Sequence, residues 1–153
     1  MLRKGSFLMI LMFVGSSFIY ANPDVALGDW LTPEKDSIIG VYKCGDKYCG
    51  KIKCLKEPNE NGAPKKDKEN PDEKLKNRDV LGIQIMSGFS FDGDNKYVDG
   101  KIYNSRDGKT YCGKMTQEGN TLSLKGNICY TFLGKTNTWT KTDAATSGMT
   151  CVK

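Results

Sequence analysis

From Leu27 onward the chain is a succession of short β-rich runs divided by glycine turns. No apolar stripe at helical spacing lasts the roughly 12 residues that a convincing amphipathic helix needs. The runs are Leu27–Thr32, Ser37–Lys43, Cys49–Leu55, Val80–Met86, Tyr97–Tyr103, Lys109–Thr116, Thr121–Gly126 and Thr136–Thr142. Some eight short antiparallel strands at regular spacing suit a sandwich or a closed barrel, and the barrel is favoured. At 153 residues the chain is one domain, since a compact unit takes about 100–200.

Alternation within the runs predicts a single buried face. Ile38, Gly40 and Tyr42 fall on one side of their run, as do Gly50, Ile52 and Cys54, and Leu81, Ile83 and Ile85. Val98, Gly100 and Ile102 repeat the pattern, followed by Tyr111, Gly113 and Met115, then Leu122, Leu124 and Gly126. Lys51, Lys53, Lys101, Lys114, Ser123 and Lys125 take the opposite side. Glycine holds five of the predicted inward positions. Strand coiling is the favoured cause, because glycine permits the sharp bends that close a small barrel. A cavity left where side chains are missing is the alternative.

Lys56 to Asp79 departs from this pattern, with seven basic and seven acidic residues and prolines at 58, 64 and 71. Such a stretch cannot bury enough apolar surface to fold alone, so it is a long charged excursion between strands. A lid and a solvated linker are its two readings. Within it, Arg78 could clamp Asp67 bidentately, or could anchor a substrate.

The amino terminus reads as an export signal over residues 1–21: Arg3 and Lys4, an uncharged run from Phe7 to Tyr20, and Ala21 as a small residue at the cleavage point. Gly15, Ser16 and Ser17 interrupt the apolar run, which is short for a membrane span of about 20 residues. No second stretch could span a bilayer, so residues 22–153 are expected to be a soluble exported domain. All six cysteines lie there: Cys44, Cys49, Cys54, Cys112, Cys129 and Cys151. An even count in an exported chain argues for disulfides. Of the roughly 15 possible pairings only Cys44–Cys49 is favoured locally, across the turn Gly45–Tyr48. Cys151 is expected to pin the tail to the barrel.

Composition removes several function classes. The chain has no histidine, so Ser-His-Asp and Cys-His triads and histidine metal sites are excluded. Cysteine-only zinc is disfavoured by spacing, and Asp92-Gly93-Asp94-Asn95 departs from a calcium loop at Lys96. No cofactor and no metal is expected. A net charge of +5 is too mild for an obligate nucleic-acid binder. Asp99 and Asp107 have no spacing that fixes them across a substrate, so an enzyme is the least favoured class. Asp107-Gly108 reads first as a hairpin turn, with Asn104 or Asp107 as a ligand group in the second reading. Tyr103 and Tyr111 flank it, either stacking on a ligand at a barrel mouth or capping the core.

Some of these residues are familiar. Gly28-Asp29-Trp30 resembles the Gly-x-Trp of lipocalin-like barrels, in which the tryptophan closes the barrel base beneath a basic residue of the last strand. Trp139-Thr140-Lys141 supplies Lys141 for that place. A broader ordered set covers nearly all of residues 22–153: Gly28 to Thr32, Cys49 to Ile52, Asp67 to Pro71, Arg78 to Gly82, Gly100 to Tyr103, Asp107 to Tyr111 and Thr138 to Lys141. The chain thereby resembles the exported bacterial family catalogued as domain of unknown function 2147. The resemblance implies an all-β, eight-stranded antiparallel lipocalin-like barrel in the envelope of Gram-negative bacteria, and it carries no established activity. Family members usually have arginine at the position of Lys141 and an aromatic residue at that of Cys54, which assigns Cys54 to a lineage-specific bridge.

Two functions follow as expectations. The first is a periplasmic barrel that holds a small apolar or amphipathic ligand among Ile52, Ile83, Ile85, Ile102, Tyr103, Tyr111, Met115 and Leu124, with Arg78 as a polar anchor and the 56–79 loop as the lid. The second is a disulfide-stapled interaction or inhibitor module, its core filled, that meets an envelope protein through its loops. An interior cavity above about 300 Å³ favours the first. Oligomeric state and partner identity are not written in the sequence.

Overall fold

A computed structural model describes residues 21–152; the export signal read over residues 1–21 lies, but for Ala21, outside them. The elements are β1 (Gly28–Leu31), β2 (Ser37–Cys44), β3 (Lys47–Leu55), β4 (Asn59–Glu60), β5 (Ala63–Pro64), β6 (Gln84–Phe91), β7 (Lys96–Asn104), β8 (Lys109–Glu118), β9 (Thr121–Asn127), β10 (Gly134–Thr142), a 3-10 turn at Ala144–Thr146 and β11 (Thr150–Cys151). The main sheet runs β11-β3-β2-β1-β10-β9-β8-β7-β6, and a further β3–β6 pairing closes eight of its strands into an antiparallel barrel. β11 pairs with the end of β3, Thr150 opposite Leu55 and Cys151 opposite Cys54. β4 and β5 form a separate small hairpin within the long charged loop.

Four strands differ from the pattern read in the sequence; in β3 the inward phase passes from Ile52 to Leu55, and Cys54 lies on the outer face with Ile38. The run Val80–Met86 is not one strand: β6 begins at Gln84, while Val80 to Ile83 turn across the barrel wall with Ile52 donating its N–H to the Ile83 carbonyl at 2.9 Å. Gly88 at φ +73° shifts the alternation within β6, so the buried residues are Met86 and Phe89, three apart. In β2 the inward residues are Ile39 and Val41, packed in the main core, and not Ile38, Gly40 and Tyr42. Ile38 packs instead with Cys54 and Ala144 under Leu31, Met149 and Cys151. Ile38-Ile39-Gly40-Val41 is apolar on both faces, because the tail covers the outer one. In β7 the inward residue is Tyr97 and not Val98; a register shift between Tyr97 and Gly100, with Asp99 at φ +60°, restores the inward phase at Gly100.

One end of the barrel is closed by its own aromatic residues and the segment before β1. Trp30, Tyr97, Phe89, Met86, Met115 and Leu122 are fully buried there. The Tyr97 hydroxyl donates to the Pro23 carbonyl at 2.7 Å and accepts from the Ala26 N–H at 3.2 Å. Trp30 Nε1 donates to the Ala26 carbonyl at 2.9 Å. Lys141 Nζ lies 4.5 Å from the Trp30 ring centroid and donates to the Leu27 carbonyl at 2.6 Å. A cation over that ring contributes about 0.5–2 kcal/mol, and burial draws the Lys141 pKa below its ordinary value.

Three disulfides tie the barrel: Cys44–Cys49 across the β2–β3 hairpin, Cys54–Cys151 from β3 to the tail, and Cys112–Cys129 from β8 to the β9–β10 loop. No helix among the described residues is long and apolar enough to cross a membrane.

Candidate functional site

At the end opposite the aromatic plug the barrel is hollow. A cavity of about 560 Å³ opens between the β1–β2 loop, the β7–β8 loop and the β9–β10 loop. Its apolar wall is Ile39 of β2, Ile52 of β3, Ile85 of β6, Ile102 of β7, Leu124 of β9 and Trp139 of β10. Each comes from an inward strand position, so a ring of six strands presents side chains to one space.

The structure brings together Ile52, Ile85, Ile102, Tyr103, Tyr111 and Leu124 of the residues singled out in the sequence. It places Met115 and Ile83 elsewhere: both are buried in the packed core and neither lines the cavity. Arg78 also lies outside it, paired with Asp67. No residue of the 56–79 loop lines this cavity; the loop borders an adjoining pocket that shares Glu34, Asp36, Ser37, Ile52, Ser105 and Arg106 with it. Ile39, Asn137 and Trp139 were missed. Trp139 had a signal, since it falls on the inward side of the last run together with Asn137.

The glycines do not make the cavity. A Cβ on Gly100 would stand 2.3 Å from the Phe89 ring, and one on Gly50 2.8 Å from Met86 Sδ. Gly113 would meet Ile102 Cδ1 at 2.6 Å and Phe89 Cζ at 2.8 Å. None of the three has a positive φ. They are sockets for large side chains of other strands, and the register shifts beside Gly50 and Gly100 bend the sheet at the same places. Gly40 faces outward, against Lys53 and Asp29. Gly126 alone of the five lines the cavity.

The rim is polar and internally paired. Arg106 Nη2 reaches Asp36 Oδ2 at 2.7 Å, joining the β7–β8 loop to the β1–β2 loop across the mouth. Burial raises the Asp36 pKa, but hydrogen bonds from Ser37 and Thr32 and the nearby Arg106 charge outweigh it, and the net displacement is downward. Tyr111 donates to Asp107 Oδ2 at 2.6 Å. The β7–β8 turn demands its glycine: Gly108 has φ +68°, and a Cβ there would stand 1.8 Å from the Glu69 carbonyl oxygen. Glu34 and Lys135 complete the charged rim. The rim thus carries both signs of charge above an apolar floor.

The long loop is fastened beside the cavity by one buried carboxylate. Asp67, fully buried, accepts from the Tyr103 hydroxyl at 2.6 Å, Asn70 Nδ2 at 2.8 Å and Arg78 Nε at 2.9 Å. Arg78 Nη2 adds a contact at 2.8 Å, and its guanidinium lies 5.6 Å from the Tyr103 ring centroid. Burial pushes the Asp67 carboxyl up; the three donors and the Arg78 charge outweigh burial and hold it below the ordinary carboxylate range. Burial and this partner push the Tyr103 hydroxyl up to about 12. A depressed folded-state pKa stabilises the structure above the unfolded value, about pH 4. The contribution is lost as pH falls through the lower folded value. Asp67→Asn is expected to loosen the 56–79 loop by about 3 kcal/mol, since it leaves Arg78 facing an amide. Amide exchange of the loop measures this: protection falls below about pH 4 in the parent chain and is already lost, without that acid step, in the variant. Equal protection in both chains would show that Asp67 does not tether the loop.

Comparison with known proteins agrees with this architecture. A solved structure described as "Protein HP1028 from the human pathogen Helicobacter pylori belongs to the lipocalin family" superposes with a TM-score of 0.70 at 28% sequence identity, covering 83% of this chain and 91% of that one. A search of curated proteins finds no match. A bacterial family model matches residues 28–141, the stretch from the first barrel strand to the lysine over Trp30. The chain belongs to that family, described as uncharacterized protein conserved in bacteria (DUF2147).

Proposed function

We propose that the protein is an exported binding barrel that takes a small apolar or amphipathic molecule into the open half of its interior, in the periplasm. The observation that carries this reading is the division of the barrel. The half holding Phe89 and Trp30 is packed solid, while the other keeps about 560 Å³ free behind a mouth of three loops. Ligand pockets run from about 300 to 1,000 Å³ and combine an apolar lining with a few polar groups at the rim. The likeness to a Helicobacter pylori protein assigned to the lipocalin family supports the same use of the fold. Three disulfides support an oxidising compartment. Catalysis is no part of this reading, and the filled-core interaction module gives way to it because half of the core is not filled.

The test uses a variant that fills the cavity without straining the wall. A Cβ on Gly126 would make only ordinary contacts, 3.6 Å to Ile102 Cδ1 and 3.8 Å to Tyr111 Cβ, and its φ is not positive. Gly126→Phe is therefore expected to fold normally while lowering the affinity for a polarity-sensitive naphthylamine dye by at least about tenfold. Trp139 in the wall should report binding through its fluorescence. Failure of the parent chain to take the dye, or equal affinity in the two chains, would overturn the reading.

A further inference from the structure

Five large hydrophobic residues are exposed among the described residues: Leu75, Ile128, Tyr130, Phe132 and Leu133. Four of them fall within six consecutive positions of the β9–β10 loop. Tyr130 and Phe132 are wholly exposed. Burying such side chains is worth more than almost any other surface change a chain can make, so leaving four together in water is costly unless something covers them.

The loop is built to hold them outward. Thr131 donates its N–H to the Ile128 carbonyl at 3.0 Å and its hydroxyl to the same oxygen at 2.8 Å. Asn127 Nδ2 donates to the Thr131 carbonyl at 3.0 Å. Cys129 is bound to Cys112 of β8. Tyr130 takes φ +69°, a region that a bulky residue adopts only at a cost.

The outer strand faces next to the loop are basic, while the mouth on its other side carries both signs. Lys101, Lys114 and Lys125 are exposed on β7, β8 and β9. Lys114 stands directly opposite Lys125, a like-charge pair that weakens a sheet. Lys101 Nζ lies 3.0 Å from Cys112 Sγ, beside the bridge that anchors the loop. Lys109 begins β8, and Lys135, near the start of β10, lies on the cavity rim. None of these five lysines makes an ion pair among the described residues.

We propose that the β9–β10 loop docks the barrel on an anionic lipid surface, with Tyr130 and Phe132 entering the boundary between headgroups and acyl chains and the lysines meeting the headgroups. An apolar tip with basic flanks is the composition of interfacial membrane anchors. A protein partner fits less well: stable protein interfaces engage about 20–30 residues on each side and are depleted in lysine. Ile128 and Leu133 also line the cavity mouth, so docking sets that mouth against the bilayer. Loading the cavity from the membrane rests on the proposed ligand binding; the docking itself does not.

Flotation with vesicles tests it, using the chain from Asn22 onward, which holds every strand of the described residues and all six cysteines. The protein should bind vesicles of phosphatidylcholine with phosphatidylglycerol and largely leave those of phosphatidylcholine alone. Tyr130→Ser with Phe132→Ser should lower that binding by at least about tenfold, at an unchanged melting temperature since both rings are exposed. Lys114→Ala and Lys125→Ala should each lower it by about fivefold. Phe132→Trp should show a blue-shifted emission quenched by brominated acyl chains. Gly126→Phe should dock normally, which separates docking from ligand binding. Absence of binding to anionic vesicles overturns the proposal, as does binding that survives the double serine variant. A dimer in sedimentation that this variant abolishes, without vesicle binding, assigns the loop to a second copy of the chain and overturns it equally.

Discussion

Removing the Cys54–Cys151 bridge, by Cys54→Ala with Cys151→Ala, should destabilise the protein more than removing either other disulfide. The cross-linked residues are 97 apart in sequence, against 17 for Cys112–Cys129 and 5 for Cys44–Cys49. Restricting the unfolded chain by loops of these lengths is worth about 4.7, 3 and 2 kcal/mol respectively. The long bridge encloses five of the eight barrel strands, β6 to β10, and it holds the tail over Ile38 and Cys54, in a small cluster outside the main core. Without it β11 keeps only two register pairs with β3, and that cluster meets water. Domains of this size are stable by about 5–15 kcal/mol, so the change approaches the lower end of that range. Urea unfolding of the three double-alanine variants should rank their midpoints in order of loop length. A Cys44/Cys49 variant with the lowest midpoint would contradict the ranking.

The barrel could be read from the sequence because burial on one face imposes a period of two, and most of the strands carry it. The reading failed where a second force acts on the same residues. Ile38-Ile39-Gly40-Val41 has no clear phase, since the tail buries the outer face of β2 as the core buries its inner face. Val80 to Ile83 are apolar because they pack against the barrel end, and the true strand hides its period behind Gly88. For the site, strand positions such as Ile52, Ile102 and Leu124 were accessible, as inward residues of a closed sheet. Which half of the barrel stays hollow was not. Met115 and Leu124 sit on adjacent strands directly opposite each other, yet Leu124 lines the cavity and Met115 lies in the packed core. The division depends on large side chains from other strands, and no local pattern encodes that. The rim was equally hidden, because residues 32–37, 104–107 and 126–135 meet only through the topology.

Phe89→Ala should cost about 3–5 kcal/mol, the range for deleting a buried aromatic ring. Phe89 is fully buried and fills space left by two glycines on other strands, Gly100 of β7 and Gly113 of β8. The sharper result lies in how these positions couple. Gly100→Ala in the parent chain sets a methyl 2.3 Å from the Phe89 ring, and crowding of this kind costs about 1–3 kcal/mol. The backbone at Gly100 has no positive φ, so nothing else there requires glycine. With the ring removed, the same change should turn stabilising by about 0.5–1 kcal/mol, as alanine normally does over glycine in a strand. A double-mutant cycle on unfolding free energies therefore reads a reversal of sign, with a coupling of about 1.5–4 kcal/mol, the crowding relieved plus the gain of alanine over glycine. If Gly100→Ala destabilises both backgrounds alike, the glycine serves strand bending and not the ring. A reversal shows instead that Gly100 is kept to seat the Phe89 ring, and that this ring is what fills the closed end of the barrel.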